Sequence, residues 1–329
     1  MRRWLRRLGL AVVELVLFLT VASLIYNAAT SGRDEPAAKL YAGPYVRVDG
    51  TSIAYRRWGT TGSPIVLVGG FVEPSWVWAK VGSLLGRRHR VYALDLPPFG
   101  FSERRAPYTL AHWTTLVLGF EQALGMARPV LVGHSLGAAV VVSVEVADPR
   151  AAAGIVLLDG DALPAGHGPG WLTDLLVPPW YTSLYRLVSG SDWVFRQGLK
   201  SAWGSGHPPF TNAFVDAWQR PFRVSGTASA FASMLGHGVP GVDLATLRRV
   251  RGPRLVVWGA EDHVDSISAG RKTAAALGCR FVAIPGAGHL SMLAGPGAVA
   301  REISTLTGRS GSRLSGRRPR GSGGRLRRR

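Results

Sequence analysis

Long apolar runs separated by short glycine-rich or polar segments dominate this chain, and the longest run lies near the N-terminus. Residues 8–29 are mostly apolar, with Glu14 as their single charge, and four arginines precede them at positions 2, 3, 6 and 7. A helix of this length reaches roughly 33 Å at about 1.5 Å per residue, which spans the hydrocarbon core of a bilayer. The pattern therefore predicts that residues 1–35 form a basic segment and a transmembrane anchor.

Positive charge before the apolar run predicts the side of the membrane that each end occupies. Arginines next to a membrane span favour the cytoplasmic side, so the residues after the anchor are predicted on the non-cytoplasmic side. The run is longer than the apolar core of a secretory signal, which favours a retained anchor. Ala29, Thr30 and Ser31 offer a small-x-small cleavage site, so secretion after signal cleavage stays the alternative.

Beyond the anchor, shorter apolar runs end in turns rich in glycine and polar residues, which is typical of buried β strands. Such strands are predicted at residues 65–68, 91–95, 129–132, 155–158, 254–258 and 280–284. An alanine- and valine-rich stretch at residues 138–147 predicts a helix. Strands that alternate with helices favour a mostly parallel sheet covered by helices.

The segment Gly133-His134-Ser135-Leu136-Gly137 joins one predicted strand to this helix, with a serine at its apex. Glycines on both sides permit a strained turn that exposes the Ser135 hydroxyl, as in a nucleophile elbow. A serine hydroxyl is a weak nucleophile at neutral pH, so it needs an imidazole to take its proton and a carboxylate to orient that imidazole. His134 is expected to point away from the direction of attack and to have a structural role.

The last two predicted strands end in residues of these two types. Asp262 follows one strand and His289 follows the next. Because parallel strands gather ligand-binding groups at their carboxyl ends, these two side chains are predicted to converge with Ser135. Asp159 and Asp161 also follow an apolar strand, and they are the alternative acids.

The elbow and the chain order Ser, Asp, His resemble the serine-dependent α/β-hydrolase superfamily, over residues of about 45–307. Residues 65–71 are similar to the third strand and oxyanion loop of that family, with Gly69 where the family usually has histidine. Residues 91–102 are similar to its fourth strand and D-x-P-G-x-G-x-S loop, with Pro98 in place of a glycine. The resemblance implies that the backbone N–H groups of Phe71 and Leu136 form an oxyanion hole.

The resemblance also implies the fold class: an α/β-hydrolase fold with a mostly parallel eight-stranded sheet flanked by helices. Its core would comprise residues 40–164 and 241–308, with a helical cap inserted at residues 165–240. The insertion is predicted to be helical at residues 211–219 and 228–235, and it contains tryptophans at positions 171, 180, 193, 203 and 218. These aromatic rings either line a substrate pocket or pack the cap onto the core.

The basic charge of the chain is concentrated at its two ends. Of its 35 arginines, four precede Leu8 and nine lie in residues 308–329, which leaves +6 of the net charge of +19 for the rest. Residues 309–329 lack apolar periodicity and are predicted to form a disordered tail. The predicted macromolecular partner is the membrane, through residues 8–29 and through this tail, rather than a specific nucleic acid.

The motifs favour one reaction class over several others. Serine at the nucleophile position favours an acyl-enzyme over the alkyl-enzyme chemistry of dehalogenases and epoxide hydrolases. No His-Glu-x-x-His motif, no cysteine pair and no Gly-x-Gly-x-x-Gly after a predicted strand occurs, so we expect no metal and no cofactor. The predicted function is a membrane-anchored serine hydrolase that cleaves a carboxylic ester of a small or lipid-like apolar substrate. Cleavage of a thioester, amide or carbon–carbon bond, acyl transfer, and non-catalytic ligand or membrane binding are the alternatives.

Overall fold

The computed structural model describes residues 2–164, 177–235 and 238–314 of the chain, which are organised around one sheet. Its strands are Tyr45–Val48 (β1), Thr51–Trp58 (β2), Pro64–Val68 (β3), Arg90–Leu94 (β4), Val130–His134 (β5), Gly154–Leu158 (β6), Arg254–Gly259 (β7) and Arg280–Ile284 (β8). The spatial order is β1-β2-β4-β3-β5-β6-β7-β8. β2 pairs antiparallel with β1 and β4, and every other pair is parallel.

The helices described in these residues form three groups: two N-terminal helices, helices that cover the sheet, and helices of the inserted cap. The N-terminal pair is Arg2–Thr30 (α1) and Ala37–Leu40 (α2), and the next three are Ala79–Leu85 (α3), Leu110–Ala123 (α4) and Leu136–Ala147 (α5). The cap contains Trp180–Ser189 (α6), Asp192–Trp203 (α7), Asn212–Gln219 (α8) and Thr227–Leu235 (α9). The remaining helices are Leu244–Leu247 (α10), Ile267–Leu277 (α11), Ser291–Ala294 (α12) and Pro296–Leu314 (α13).

The central strands are buried on both faces, since β3, β5 and β6 contain no exposed position. Alternate residues of β3 belong to two different apolar clusters, so each face of the sheet has its own core. One cluster includes residues of α4, α5 and α11, and the other includes residues of α3 and α13. Continuous apolar strands of this kind are typical of parallel sheets with helices on both faces.

The mostly parallel eight-stranded α/β fold predicted from the sequence is confirmed. The predicted helix at residues 211–219 corresponds to α8, whose first turn is capped by the Thr211 side chain, which accepts a hydrogen bond from Phe214 N at 3.2 Å. The predicted helix at residues 228–235 corresponds to α9. The helix after Ser135 begins at Leu136, earlier than the alanine-rich stretch alone indicates.

Parts of the predicted cap and tail lie outside the described residues. These are residues 165–176, which include Trp171, residues 236 and 237, and the tail residues 315–329. The last helix, α13, continues to Leu314, past residue 308, where the core was predicted to end. The apolar run of the predicted anchor, residues 8–29, lies within α1. Residues 3–19 are exposed along their whole length, whereas Thr20, Ser23, Tyr26, Asn27 and Thr30 are partly or fully buried.

Candidate active site

Ser135 occupies a sharp turn between β5 and α5. Its backbone has φ of 51° and ψ of −120°, a conformation that costs a non-glycine residue about 1–3 kcal/mol and persists only where the surroundings enforce it. A Cβ on Gly133 would lie 2.1 Å from Gly137 O, and a Cβ on Gly137 would lie 2.5 Å from Val68 O. Ser135 N donates to Leu158 O at 3.0 Å. Strand, turn and helix thus hold Ser135 in the geometry of a nucleophile elbow.

His289 and Asp262 form a buried pair beyond the carboxyl ends of β8 and β7. His289 Nδ1 lies 2.9 Å from Asp262 Oδ2, and both side chains are almost fully buried. The other carboxylate oxygen, Asp262 Oδ1, accepts hydrogen bonds from Val264 N at 2.9 Å and from Asp265 N at 3.0 Å. Because the backbone holds the carboxylate and the carboxylate holds the imidazole, Nε2 of His289 is the ring nitrogen left to accept a proton.

The elbow and the histidine loop are joined through His134. Its Nε2 lies 2.7 Å from the backbone oxygen of His289, and the two imidazole rings meet edge to face with their centroids 4.9 Å apart. Since His134 directly precedes Ser135, this contact brings the candidate nucleophile and the candidate base to the same edge of the sheet. His134 is fully buried, which is consistent with the structural role expected for it.

The two alternative acids bind other groups. Asp159 Oδ1 accepts a hydrogen bond from Gly259 N at 2.6 Å, and its Oδ2 accepts from the hydroxyl and the backbone N of Ser291. Asp161 accepts a hydrogen bond within its own turn. The described contacts therefore leave Asp262 as the carboxylate on the His289 ring, although all three aspartates follow apolar strands. Asp159 instead ties the ends of β6 and β7 to the residues after His289.

The predicted oxyanion loop lies against the elbow. A Cβ on Gly70 would lie 2.8 Å from Ser135 Cβ, so the backbone that leads into Phe71 passes directly beside the serine. Leu136 is the first residue of α5, and an N–H at that position has no acceptor within its own helix. The two predicted donors, Phe71 N and Leu136 N, are thus on segments that flank Ser135.

A buried carboxylate, Glu73, holds this loop in place, a role that no motif in the sequence predicted. Glu73 Oε2 accepts hydrogen bonds from Gly70 N at 2.6 Å and from His134 Nδ1 at 2.8 Å. Burial lowers the pKa of His134, but the nearby carboxylates of Glu73 and Asp159 outweigh this and hold that pKa well above its ordinary value. The available signal was one acidic residue in the otherwise uncharged stretch of residues 69–78.

The loop after β4 is organised by Asp95, which matches the aspartate of the family pattern. Its carboxylate accepts hydrogen bonds from Ser75 N and Phe101 N, and a Cβ on Gly100 would lie 2.0 Å from its Cγ. Burial raises the pKa of Asp95, and these backbone donors oppose the rise. Ser102 Oγ accepts from Ala54 N at 2.9 Å. The aspartate, glycine and serine of this loop therefore hold it in place. They do so although Pro98 occupies the position where the family usually has glycine.

Within residues 2–164, 177–235 and 238–314, no group of three or more histidine, cysteine, aspartate or glutamate side chains is arranged to hold a metal ion. The carboxylates of Glu73, Asp159 and Asp262 at this edge of the sheet are instead paired with histidine, serine or backbone groups. Such an arrangement suits proton transfer from a hydroxyl and stabilisation of a developing oxyanion.

A family model for the alpha/beta hydrolase fold matches residues 63–296, and the chain belongs to that family. The uncharacterized hydrolase YugF of Bacillus subtilis is 27% identical over 231 residues, which cover 68% of this chain and 82% of that protein. The crystal structure of a membrane phospholipase A, described as a bacterial virulence factor, has a TM-score of 0.66 at 23% identity and covers 94% of this chain and 99% of its own.

A putative lipase from Acinetobacter baumannii is similar in fold, with a TM-score of 0.68 at 17% identity, over 84% of this chain and 95% of that chain. These comparisons confirm the predicted family and fold. The family match and YugF, which is named as a hydrolase, support a hydrolase, and the two solved structures support the fold.

Proposed function

We propose that this protein is a membrane-anchored serine hydrolase that cleaves a carboxylic ester through an acyl-enzyme on Ser135. The observation that carries the proposal is the strained elbow of Ser135, joined through His134 to a histidine whose Nδ1 is held 2.9 Å from a buried carboxylate. A positive φ at a serine costs conformational free energy. In a nucleophile elbow this strained turn exposes the serine hydroxyl to a base and a substrate.

In the proposed reaction, His289 Nε2 takes the proton of Ser135 as the hydroxyl oxygen attacks the ester carbonyl. Asp262 stabilises the imidazolium that forms, and the N–H groups of Phe71 and Leu136 donate to the oxyanion. Each such donor typically contributes about 2.7–4 kcal/mol of transition-state stabilisation. His289 then protonates the leaving alkoxide, and the ester bond breaks to give the acyl-enzyme. Water, deprotonated by His289, attacks that acyl group and releases a carboxylic acid and free Ser135.

An apolar acyl group is the substrate feature that the surroundings favour. The Phe71 ring packs edge to face against Phe99 and Phe231, with centroid distances of 5.4 and 5.7 Å. Phe231 belongs to the cap helix α9, so an aromatic cluster spans the boundary between cap and core beside the oxyanion loop. Such a cluster fits a hydrocarbon chain better than a charged or sugar substrate.

Membrane anchoring is the second part of the proposal. The helical segment Arg3–Arg33 is long and apolar enough to cross a bilayer, and its most apolar part is unburied. The arginines before it favour a cytoplasmic N-terminus, with the hydrolase domain on the opposite side. Secretion after cleavage near Ala29 is the alternative, and the size of the mature protein in a membrane fraction distinguishes the two.

Covalent labelling tests the chemistry. The full chain in detergent micelles is treated with a fluorophosphonate, beside the variants Ser135→Ala, His289→Ala and the exposed control Ser225→Ala. Wild type and Ser225→Ala are expected to label at one serine, and the other two are expected not to label. A folded wild type that stays unlabelled and hydrolyses no p-nitrophenyl ester of short or long chain would exclude a serine esterase. Thioester and anilide substrates in the same panel separate the alternative bonds.

A further inference from the structure

The anchor helix α1 has a polar face in its second half, and that face is turned to the cap. Thr20, Ser23, Asn27 and Thr30 are three or four residues apart, so they lie along one side of the helix. These positions are partly or fully buried, whereas residues 3–19 are exposed. The polar residues of an otherwise apolar span therefore form a docking surface for another part of the chain.

The cap helix α6 occupies this surface. Trp180 Nε1 donates to Thr20 Oγ1 at 3.2 Å, and Ser183 Oγ donates to the backbone oxygen of Ser23 at 3.3 Å. These contacts lie one turn apart on both helices, and they pack α6 against the second half of α1. Contacts from residue 20 to residue 30 correspond to about 15 Å of helix at about 1.5 Å per residue.

Near the C-terminal end of α1, the contact between α1 and α6 includes an ion pair. Arg186 donates to Asn27 O and to Thr30 Oγ1, and its Nη2 lies 2.8 Å from Asp34 Oδ2. Asn27 Nδ2 donates to Pro179 O at 2.9 Å. With hydrogen bonds along the whole contact, the position of α6 relative to the anchor is set by the fold.

The opposite side of the same stretch of α1 remains apolar and uncovered. Val21, Leu24 and Ile25 are 53%, 55% and 65% exposed. An inserted anchor must bury these side chains in lipid, since apolar surface of this extent is stable only away from water. Lipid therefore has to reach at least the level of Ile25, which is within the stretch that α6 lies beside.

α6 itself has an exposed apolar face. Leu184, Leu187 and Val188 are spaced as neighbours on one face of a helix, and they are 56%, 56% and 44% exposed. Trp193, at the start of α7, is 69% exposed. Contiguous exposed apolar residues mark a contact surface, and tryptophan is enriched where a protein meets the interface of a bilayer.

The buried face of α6 leads toward the candidate active site. The Tyr185 ring lies 6.0 Å from the Phe231 ring, and Phe231 in turn contacts Phe71 of the predicted oxyanion loop. One helix thus has an exposed apolar face and, on another side, a tyrosine in contact with the aromatic cluster beside Ser135.

We propose that Leu184, Leu187, Val188 and Trp193 form a second membrane contact, which inserts into the leaflet that surrounds the C-terminal half of the anchor. This proposal rests on the proposed membrane anchoring by α1. It places the cap on the bilayer, so that an apolar ester enters from the leaflet rather than from water. The partner is a lipid bilayer at the boundary of headgroups and acyl chains.

Site-directed fluorescence tests this contact in the full chain. In a Cys279→Ala background, single cysteines are introduced as Leu187→Cys and Leu10→Cys, and as the control Leu84→Cys. Leu84 is 36% exposed and lies in α3, near the amino ends of the strands and thus away from the cap. Each variant is labelled with the environment-sensitive dye NBD and reconstituted in phosphatidylcholine vesicles with or without doxyl-labelled lipid.

Blue-shifted emission and quenching by doxyl lipid are expected at positions 10 and 187, with water-like, unquenched emission at position 84. Quenching at position 10 with water-like emission at position 187 overturns the second contact and leaves the anchor in place. Water-like emission at both positions refutes the anchoring, and the second contact with it. If the dye at position 187 gives blue-shifted emission that doxyl lipid does not quench, and if that position cross-links to another copy, the bilayer contact is refuted. The surface is then an interface with a second molecule of this protein.

Discussion

The buried pair of Glu73 and His134 offers a sharp test of the forces that hold the candidate site together. Both hydrogen bonds of the carboxylate end on one atom, Oε2, which accepts from Gly70 N at 2.6 Å and from His134 Nδ1 at 2.8 Å. The carbonyl oxygen of glutamine can accept the same two bonds. Glu73→Gln therefore removes the charge and keeps the geometry, whereas Glu73→Ala removes both.

The two substitutions are expected to differ in cost. A hydrogen bond to a charged group is worth about 1.5–3 kcal/mol and a neutral one about 0.5–1.5 kcal/mol, so the loss of charge across two bonds should cost about 2 kcal/mol. Truncation to alanine leaves the buried His134 without its partner, and breaking such a pair typically costs about 3–5 kcal/mol. Glu73→Ala should also free the oxyanion loop at Gly70 and lower the rate of ester hydrolysis.

Urea unfolding of the full chain in micelles, followed over a pH series, measures these costs. Because the folded pKa of His134 is raised above its ordinary value of 6.5, its contribution to the free energy of unfolding is complete below about pH 6.5 and is lost as pH rises through the folded pKa. In Glu73→Gln the attraction that raises this pKa is weaker, so the decline should come at lower pH and be smaller.

A matched control separates the effect of losing the Glu73 charge from the effect of replacing any glutamate with glutamine. Glu103 is half-buried, and its carboxylate accepts a hydrogen bond from Ser52 N at 2.9 Å. Glu103→Gln should change the free energy of unfolding by less than about 1 kcal/mol. If Glu73→Gln matches wild type in both the free energy of unfolding and its pH dependence, the buried pair carries no charge, and charge does not stabilise this part of the site.

Five further substitutions test the elbow and its partners. Asp262→Asn should lower kcat for a p-nitrophenyl ester by about 10⁴-fold, whereas Asp159→Asn should mainly lower the free energy of unfolding, by about 1–3 kcal/mol; the reverse pattern would reassign the acid. Gly70→Ala should lower kcat by about 10²-fold because its Cβ would displace Ser135 Cβ, 2.8 Å away, while Gly198→Ala, in open space on α7, should leave kcat unchanged. Ser135→Gly should raise the free energy of unfolding by about 1 kcal/mol through relief of its φ of 51° and abolish fluorophosphonate labelling, and unchanged stability in urea unfolding would contradict the strain.

Local sequence patterns determined the elements and the chemistry that they carry. The apolar run at residues 280–284 coincides with β8, and the capping threonine before residue 212 marks the start of α8. The glycines around Ser135 predicted a tight turn, because the steric clashes that this turn must avoid involve only five consecutive residues. Features that depend on neighbours along the chain are readable from the chain.

Only the tertiary structure decided which groups meet across long stretches of sequence. Asp159, Asp161 and Asp262 all follow apolar strands, and it is the 2.9 Å contact of Asp262 with the His289 ring that distinguishes them. The bond from Glu73 to His134 joins residues on two different loops. The docking of α6 on α1 pairs residues about 160 positions apart, as between Trp180 and Thr20. Such pairings are set by how the layers pack in space, and no local pattern of hydrophobic and polar residues records them.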